Sequence, residues 1–276
     1  MRWRSRSRAP VRTDAGATKV TGPAPLPTFI VIGAQKSATR WLRTNLIKHP
    51  EVFTAPRELR FFSAADRYES LGIDWYRAQF EGWAGERVVG EVTPSYMMFR
   101  LQPAEIAGRI ASVVPDVRLV AILRDPVERA YSAMLHHIEQ GRLPADSDLL
   151  ELARRTQPED DELDLISGGW YAASLRPYAD LFGERLLVVL HDDIRTEPDV
   201  VYRQVLAHVG AAPDYVPDGL DRVRFSNRKN APSESAPKTA GLTPEARRAL
   251  FAYFRDDVGA LEQMLGRDLS AWRPAT

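Results

Sequence analysis

From residue 28 onward the chain alternates between short, uninterrupted apolar blocks and stretches with helical spacing. "TFIVIG" (28–33) reads as a buried strand, and "VVGEV" (88–92), "VRLVAILR" (117–124) and "RLLVVLHDD" (185–193) read as further strands. Helices are predicted over 38–49, 103–114, 126–140, 170–183, 198–210 and 244–265. Proline opens the segments at 103 and 126, and Gly210 stands where a helix C-cap is expected. Strands separated by helices pair in parallel through crossovers, so the prediction is an α/β fold with a central parallel β-sheet flanked by helices on both faces. Ligands in such sheets bind at the carboxyl ends of the strands.

The remaining segments complete a single-domain reading. Residues 1–27 form an Arg/Pro-rich tail ending in "TGPAPLP", predicted to be disordered and to pack no core. Residues 28–276 are predicted to be one domain, and 213–241, rich in Pro, Ser, Ala and Asn, a loop over a site. There is no internal repeat.

Charge changes the picture only at the amino terminus. Lys+Arg and Asp+Glu both total 37, yet "MRWRSRSRAPVR" holds five arginines and no acid, so the rest is acidic by five. An acidic body argues against nucleic-acid binding, whose affinity rests on basic surface. The tail lacks the apolar core of a secretory signal peptide. No apolar run approaches the ~20 residues of a membrane span, and the expected location is cytoplasmic. With no cysteine, disulfides, thiolate metal sites and a cysteine nucleophile are excluded.

Three strand ends carry the candidate chemistry. In "GAQKSATRW" the lysine comes three residues after Gly33 and no Gly-Lys pair follows, unlike the G-x-x-x-x-G-K-[ST] loop. Gly33 still permits a tight turn, the amides ahead of the helix face an anion, Lys36 adds charge, and Ser37 and Thr39 add hydroxyls. The competing reading is an ordinary strand–helix turn. In "LVAILRDPVERAYSAMLHH", Arg124 at the end of a buried strand suits bidentate phosphate contact. Asp125 and Pro126 open the next helix as N-cap and first residue, and Ser132 can reach the same anion. The alternative is a local Arg124–Asp125 ion pair with Ser132 on a helix face. In "PRELRFFS", Glu58 is either a catalytic carboxylate or a solvated partner of Arg57 and Arg60. Two anion sites on two strand ends are what a bis-phosphorylated nucleotide requires.

On these residues the chain resembles the sulfotransferases that use 3′-phosphoadenosine 5′-phosphosulfate (PAPS), especially the Golgi heparan sulfate group and its bacterial relatives. "KSATRW" resembles their 5′-phosphosulfate loop and "RDPVERAYS" their 3′-phosphate motif, with "RELRFF", "GIDWY", "GEVTPSY" and "GGWYAASLRPYADLF" in the same order. The resemblance covers most of 28–273 and implies one P-loop-like domain. It implies that Lys36, Ser37, Ala38, Thr39 and Arg40 enclose the 5′-phosphosulfate, and that Arg124 and Ser132 hold the 3′-phosphate. Trp41 matches an adenine-stacking position and Tyr171 a nucleotide contact, each with core packing as its rival. Glu58 matches the catalytic base, and His136 a histidine near the acceptor that is otherwise structural.

Two departures concern the acceptor side. Val92-Thr93-Pro94 stands where heparan O-sulfotransferases usually carry Lys-Thr-Pro, and "SNRKNAPSES" only loosely echoes their basic nucleotide loop, leaving Arg228 and Lys229 as candidate contacts.

The implied reaction is in-line sulfuryl transfer from PAPS, without metal, to a hydroxyl or amine of a carbohydrate or small-molecule natural product. The expected partners are that acceptor and no nucleic acid; oligomeric state is not legible. Trp75, Tyr76, Tyr96, Phe61 and Phe62 either shape the acceptor side or fill the core. The rival functions are a P-loop nucleotide kinase, which needs Gly-Lys-[Ser/Thr] and magnesium ligands, and a nucleotide-binding protein without catalysis.

Overall fold

Every residue of β1 (Phe29–Gly33) is buried, as a strand covered on both faces requires. The computed structural model describes residues 23–64, 66–156, 160–220 and 242–274. In it β1 lies at the centre of a five-stranded parallel sheet with β2 (Val52–Thr54), β3 (Val88–Val92), β4 (Arg118–Leu123) and β5 (Leu186–Leu190), in the order β2-β3-β1-β4-β5. Alternation along the strands feeds two cores. Ile30, Ile32, Leu119 and Ala121 face one apolar layer, while Phe29, Val31, Val120 and Ile122 face the other.

The first layer is covered by α2 (Gly72–Ala78), α3 (Pro103–Val113), α4 (Pro126–Glu139), α5 (Leu149–Arg155) and α6 (Tyr171–Phe182), joined by α9 (Pro244–Phe251) and α10 (Arg255–Leu265). The second is covered by α1 (Thr39–Leu46), α7 (His191–Thr196) and α8 (Pro198–Val209). The chain builds β2 and β3 on one side of β1 and β4 and β5 on the other. The order therefore reverses between β1 and β4, the point where such sheets bind ligands. Gly33 closes β1 because a Cβ there would stand 2.8 Å from the Met97 side chain.

Several predictions need correction. Residues 191–193 leave the strand at Leu190 and open α7, whose first turn holds Asp192 and Asp193, charges that suit a helix amino terminus. The helix expected over 244–265 breaks at 252–254, which lets the fully buried Phe254 lie where a Cβ on Gly169 would meet its ring at 2.6 Å. Residues 23–27 do pack: Pro27 is buried, Ala24 and Leu26 lie against the first core, and Arg77 donates to the Ala24 carbonyl at 3.0 Å. An extended proline-rich segment needs no core of its own to cover one. The strand β2 and the helices α2 and α5 were not anticipated. Most of the tail and residues 221–241, with Arg228 and Lys229, lie outside the described residues.

Candidate active site

The turn after β1 is built on left-handed backbone. Lys36 and Ala38 have φ of 69° and 73°, a conformation non-glycine residues adopt at local cost and one that gathers successive amides into an anion-facing concavity. Ala38 is the N-cap of α1 and no side chain caps that helix. The opposite holds at α4, where the Asp125 carboxylate accepts from the Val127 amide at 2.9 Å and the Glu128 amide at 3.2 Å. One helix terminus is self-satisfied; the other is free of any side-chain cap.

The two turns meet. Arg124, at the end of β4, donates Nη1 to the Lys36 carbonyl at 3.5 Å, while its Nη2 lies 3.2 Å from Glu128 Oε2. Glu128 also pairs through Oε1 with Arg247 of α9 at 3.3 Å, and Arg247 contacts Asp125 as well. Arg124 therefore pairs with Glu128, not with Asp125. Arg247, separated from Asp125 by 122 positions, carries no sequence pattern that announces it.

Lys36 is half-buried, and burial is the main cause holding its pKa below the ordinary amine value; Glu139 opposes this, and Arg124, Arg129 and Arg40 add to it. Beneath the turn, Tyr171 is fully buried, and burial pushes its phenol up to about 12 against the influence of Arg129, the Ser37 hydroxyl and the Arg124 backbone. Neither Ser37 Oγ nor the Tyr171 hydroxyl makes a well-formed hydrogen bond. Buried hydroxyls with spare capacity beside four cationic side chains fit an anionic ligand.

Arg129 is wholly buried on α4, donating Nη2 to the Asp164 carbonyl at 2.7 Å and lying 3.8 Å from the Asp164 carboxylate. Burial raises Asp164 to about 6. Together they brace the segment that leads to Tyr171. An arginine among Val127, Ala130 and Met134 on the buried face of a predicted helix was the available signal.

Ser132 and His136 lie one turn apart on α4, hence on one face. His136 is held below its ordinary pKa by burial first, then by Lys36 and His137, so it belongs to the same neighbourhood as Lys36. Gln140 lies 2.9 Å from its Nε2. Thr39 is buried and Arg40 exposed. Trp41 turns into the second core, donating to the Leu220 carbonyl at 3.0 Å and meeting Tyr202 edge-on, so its ring serves packing.

Glu58 follows β2 and is exposed, 3.4 Å from Arg60. Its segment is anchored rather than loose. The Leu59 amide donates to Thr93 Oγ1 at 3.1 Å, the Phe62 amide to the Tyr96 hydroxyl at 3.4 Å, and Arg109 reaches the Phe62 carbonyl at 3.0 Å. Phe61, Phe62, Tyr76 and Tyr96 are core residues. Glu58 and Lys36 follow strands separated only by β3, which is two strand spacings, ~10 Å, on the same edge of the sheet. Among the described residues no group of three or more His, Asp or Glu side chains is arranged to hold a metal ion. None of the described helices is long and apolar enough to cross a membrane.

Comparison with known proteins bears on this arrangement. A profile described as "Sulfotransferase family" matches residues 27–214. Human bifunctional heparan sulfate N-deacetylase/N-sulfotransferase 3 is 27% identical over 289 residues, a match covering 90% of this chain but 31% of that protein. The chain thus spans under a third of that relative's length. The crystal structure of a sulfotransferase from Alicyclobacillus acidocaldarius superposes with a TM-score of 0.71 at 29% identity, covering 89% of this chain and 98% of that one. A mouse sulfotransferase complexed with PAP shares the fold alone, with a TM-score of 0.51 at 13% identity and coverage of 88% and 90%.

Proposed function

The chain belongs to the sulfotransferase family, and we propose that it moves a sulfuryl group from PAPS to a hydroxyl or amine of a glycan or small-molecule acceptor. The observation that carries the donor assignment is the approach of Arg124 to the Lys36 carbonyl, which brings the turns after β1 and β4 and their positive charges together. A ligand with phosphate at both the 3′ and 5′ positions of one nucleoside uses both turns. The PAP in the mouse neighbour is such a molecule. The glycan acceptor class is suggested by the heparan sulfate named for the human relative.

When bound, PAPS supplies the activated sulfuryl group, with the 5′-phosphate as leaving group. The chain's own residues do the rest. Lys36 and the uncapped amino terminus of α1 meet the negative charge that builds as the S–O bond to the 5′-phosphate breaks. Arg124 and Ser132 hold the 3′-phosphate and set the nucleotide's register, with Arg247 and Glu128 fixing the Arg124 guanidinium. Glu58 takes the proton that the acceptor oxygen or nitrogen releases as its bond to sulfur forms. His136, beside Lys36, faces the acceptor side.

Lys36→Ala should lower turnover by ~10²–10³ and Glu58→Gln by ~10²–10⁴. Transfer of labelled sulfate to acceptors in cell extract, with mass spectrometry for the gain of one SO₃, measures the first quantity. Calorimetry of PAP binding separates the two roles: Glu58→Gln should bind as the wild type does. Near-normal turnover in Glu58→Gln removes it from the base role, and PAP binding unaffected by loss of both Lys36 and Arg124 removes the donor assignment.

A further inference from the structure

A carboxylate in the middle of a buried parallel strand demands a reason, because an ionised group out of water is costly unless every lone pair is used. Glu91 on β3 is wholly buried and lies in no part of the donor pocket. Its Oε1 accepts from the Tyr76 hydroxyl at 2.7 Å and the Tyr96 hydroxyl at 3.1 Å, and its Oε2 accepts from the Thr93 hydroxyl at 2.7 Å. Because Thr93 and Tyr96 spend their protons on Glu91, their oxygens are left as acceptors. Those oxygens receive the backbone amides of Leu59, which lies between the exposed Glu58 and Arg60, and of Phe62, two residues beyond Arg60. Arg60 between them sits at φ 53°, a left-handed turn that the two anchors hold in place.

We propose that Glu91 is a positioning residue that aims Glu58, acting through the Thr93 and Tyr96 hydroxyls on the Leu59 and Phe62 amides. The inference rests on the reading of Glu58 as the base. The role calls for the ionised carboxylate, which predominates above about 7, because only in that form do both oxygens solely accept; exchange and turnover are therefore measured at about pH 8. An amide at the same place presents an NH₂ to one of the hydroxyls and turns that hydroxyl's proton back towards Leu59 or Phe62.

Thr93→Val deletes one relay and leaves the Glu91 carboxylate in place, so it serves even where Glu91→Gln fails to fold. Hydrogen exchange at the Leu59 and Phe62 amides and transfer of labelled sulfate to cell-extract acceptors are measured in both variants. Exchange at Leu59 should accelerate by about tenfold or more. Turnover should fall by about 10- to 100-fold, with PAP affinity unchanged. Thr93→Ser, which keeps the hydroxyl, should restore both. In a Glu58→Gln background the same substitution should lower the residual turnover less than about twofold, because the aimed group is already gone. Wild-type exchange or turnover in Thr93→Val, or an equal loss in both backgrounds, overturns the inference. Wild-type turnover in Glu58→Gln alone strikes the base reading instead, and leaves the exchange result standing as a structural fact.

Discussion

Replacing Glu91 by glutamine should change how stability depends on pH, in a direction the burial dictates. Burial lifts the Glu91 carboxyl to about 7 from its ordinary 4.5, even though Tyr76, Thr93, Tyr96 and the Leu59 backbone all pull it down. Between those two values the folded protein keeps a proton that the unfolded chain has released. The stability contributed by the neutral carboxyl is therefore fully present below 4.5 and is lost as the pH rises through about 7. At about 1.4 kcal/mol per pH unit, that interval is worth about 3 kcal/mol. Glutamine does not titrate, so subtracting the variant's unfolding free energy from the wild type's cancels every other ionisable group. Urea unfolding from pH 5 to pH 9 should show that difference moving in the variant's favour, by about 3 kcal/mol across the interval. The change should be steepest below neutrality and flat above about pH 8. A difference that stays constant across this range, or that moves in the wild type's favour, refutes the reasoning.

Two further outcomes follow from the packing. Gly90→Ala places a Cβ 2.3 Å from the Phe29 ring, which is itself buried on the neighbouring strand, so the melting temperature should fall with a loss of about 1–3 kcal/mol; an unchanged melt contradicts the contact. Arg247→Ala strips the cation shared by Asp125 and Glu128 and leaves Glu128 to draw on Arg124 alone, so calorimetry should show PAP affinity reduced by about tenfold, and undiminished affinity removes Arg247 from the pocket's support.

What the sequence revealed and what it hid divide along a physical line. Runs such as "FIVIG" and "LVAIL" are apolar throughout because both faces are covered, and that requirement is local enough to read. The Asp125 cap and the proline after it are likewise neighbour chemistry, and both stand where predicted. β2 is three residues long, too short for a pattern to rise above the surrounding turns. The break before α10 is set by Phe254 reaching a pocket beside Gly169, some 85 positions earlier, which no periodicity within 244–265 encodes. Trp41 is the instructive middle case. Its place after the Lys36 turn suits a ligand and a core equally, and only the approach of Tyr202 and Leu220 from distant segments turns the ring inward.

The same line separates the proposed donor side from the proposed acceptor side. Lys36, Ser37 and Arg124 lie at the ends of the two strands flanking the point where the sheet order reverses, and each turn carries its own anion-seeking backbone or guanidinium. Bringing the turns together concentrates positive charge: burial lowers Lys36, Arg124, Arg129 and Arg40 add to the effect, and Glu139 opposes them. Asp125 and Glu128 are already engaged by Arg247 and Arg124, so the acids close by leave that field largely uncompensated. On the proposed reading, the two phosphates of the nucleotide meet Lys36 and Arg124, the charges fixed beside two strand ends. The base side has no such fixed points. Glu58 stands on an irregular segment anchored by hydroxyls of Thr93 and Tyr96 just after β3, and beneath them by the buried carboxylate of Glu91, whose engagement no local pattern encodes.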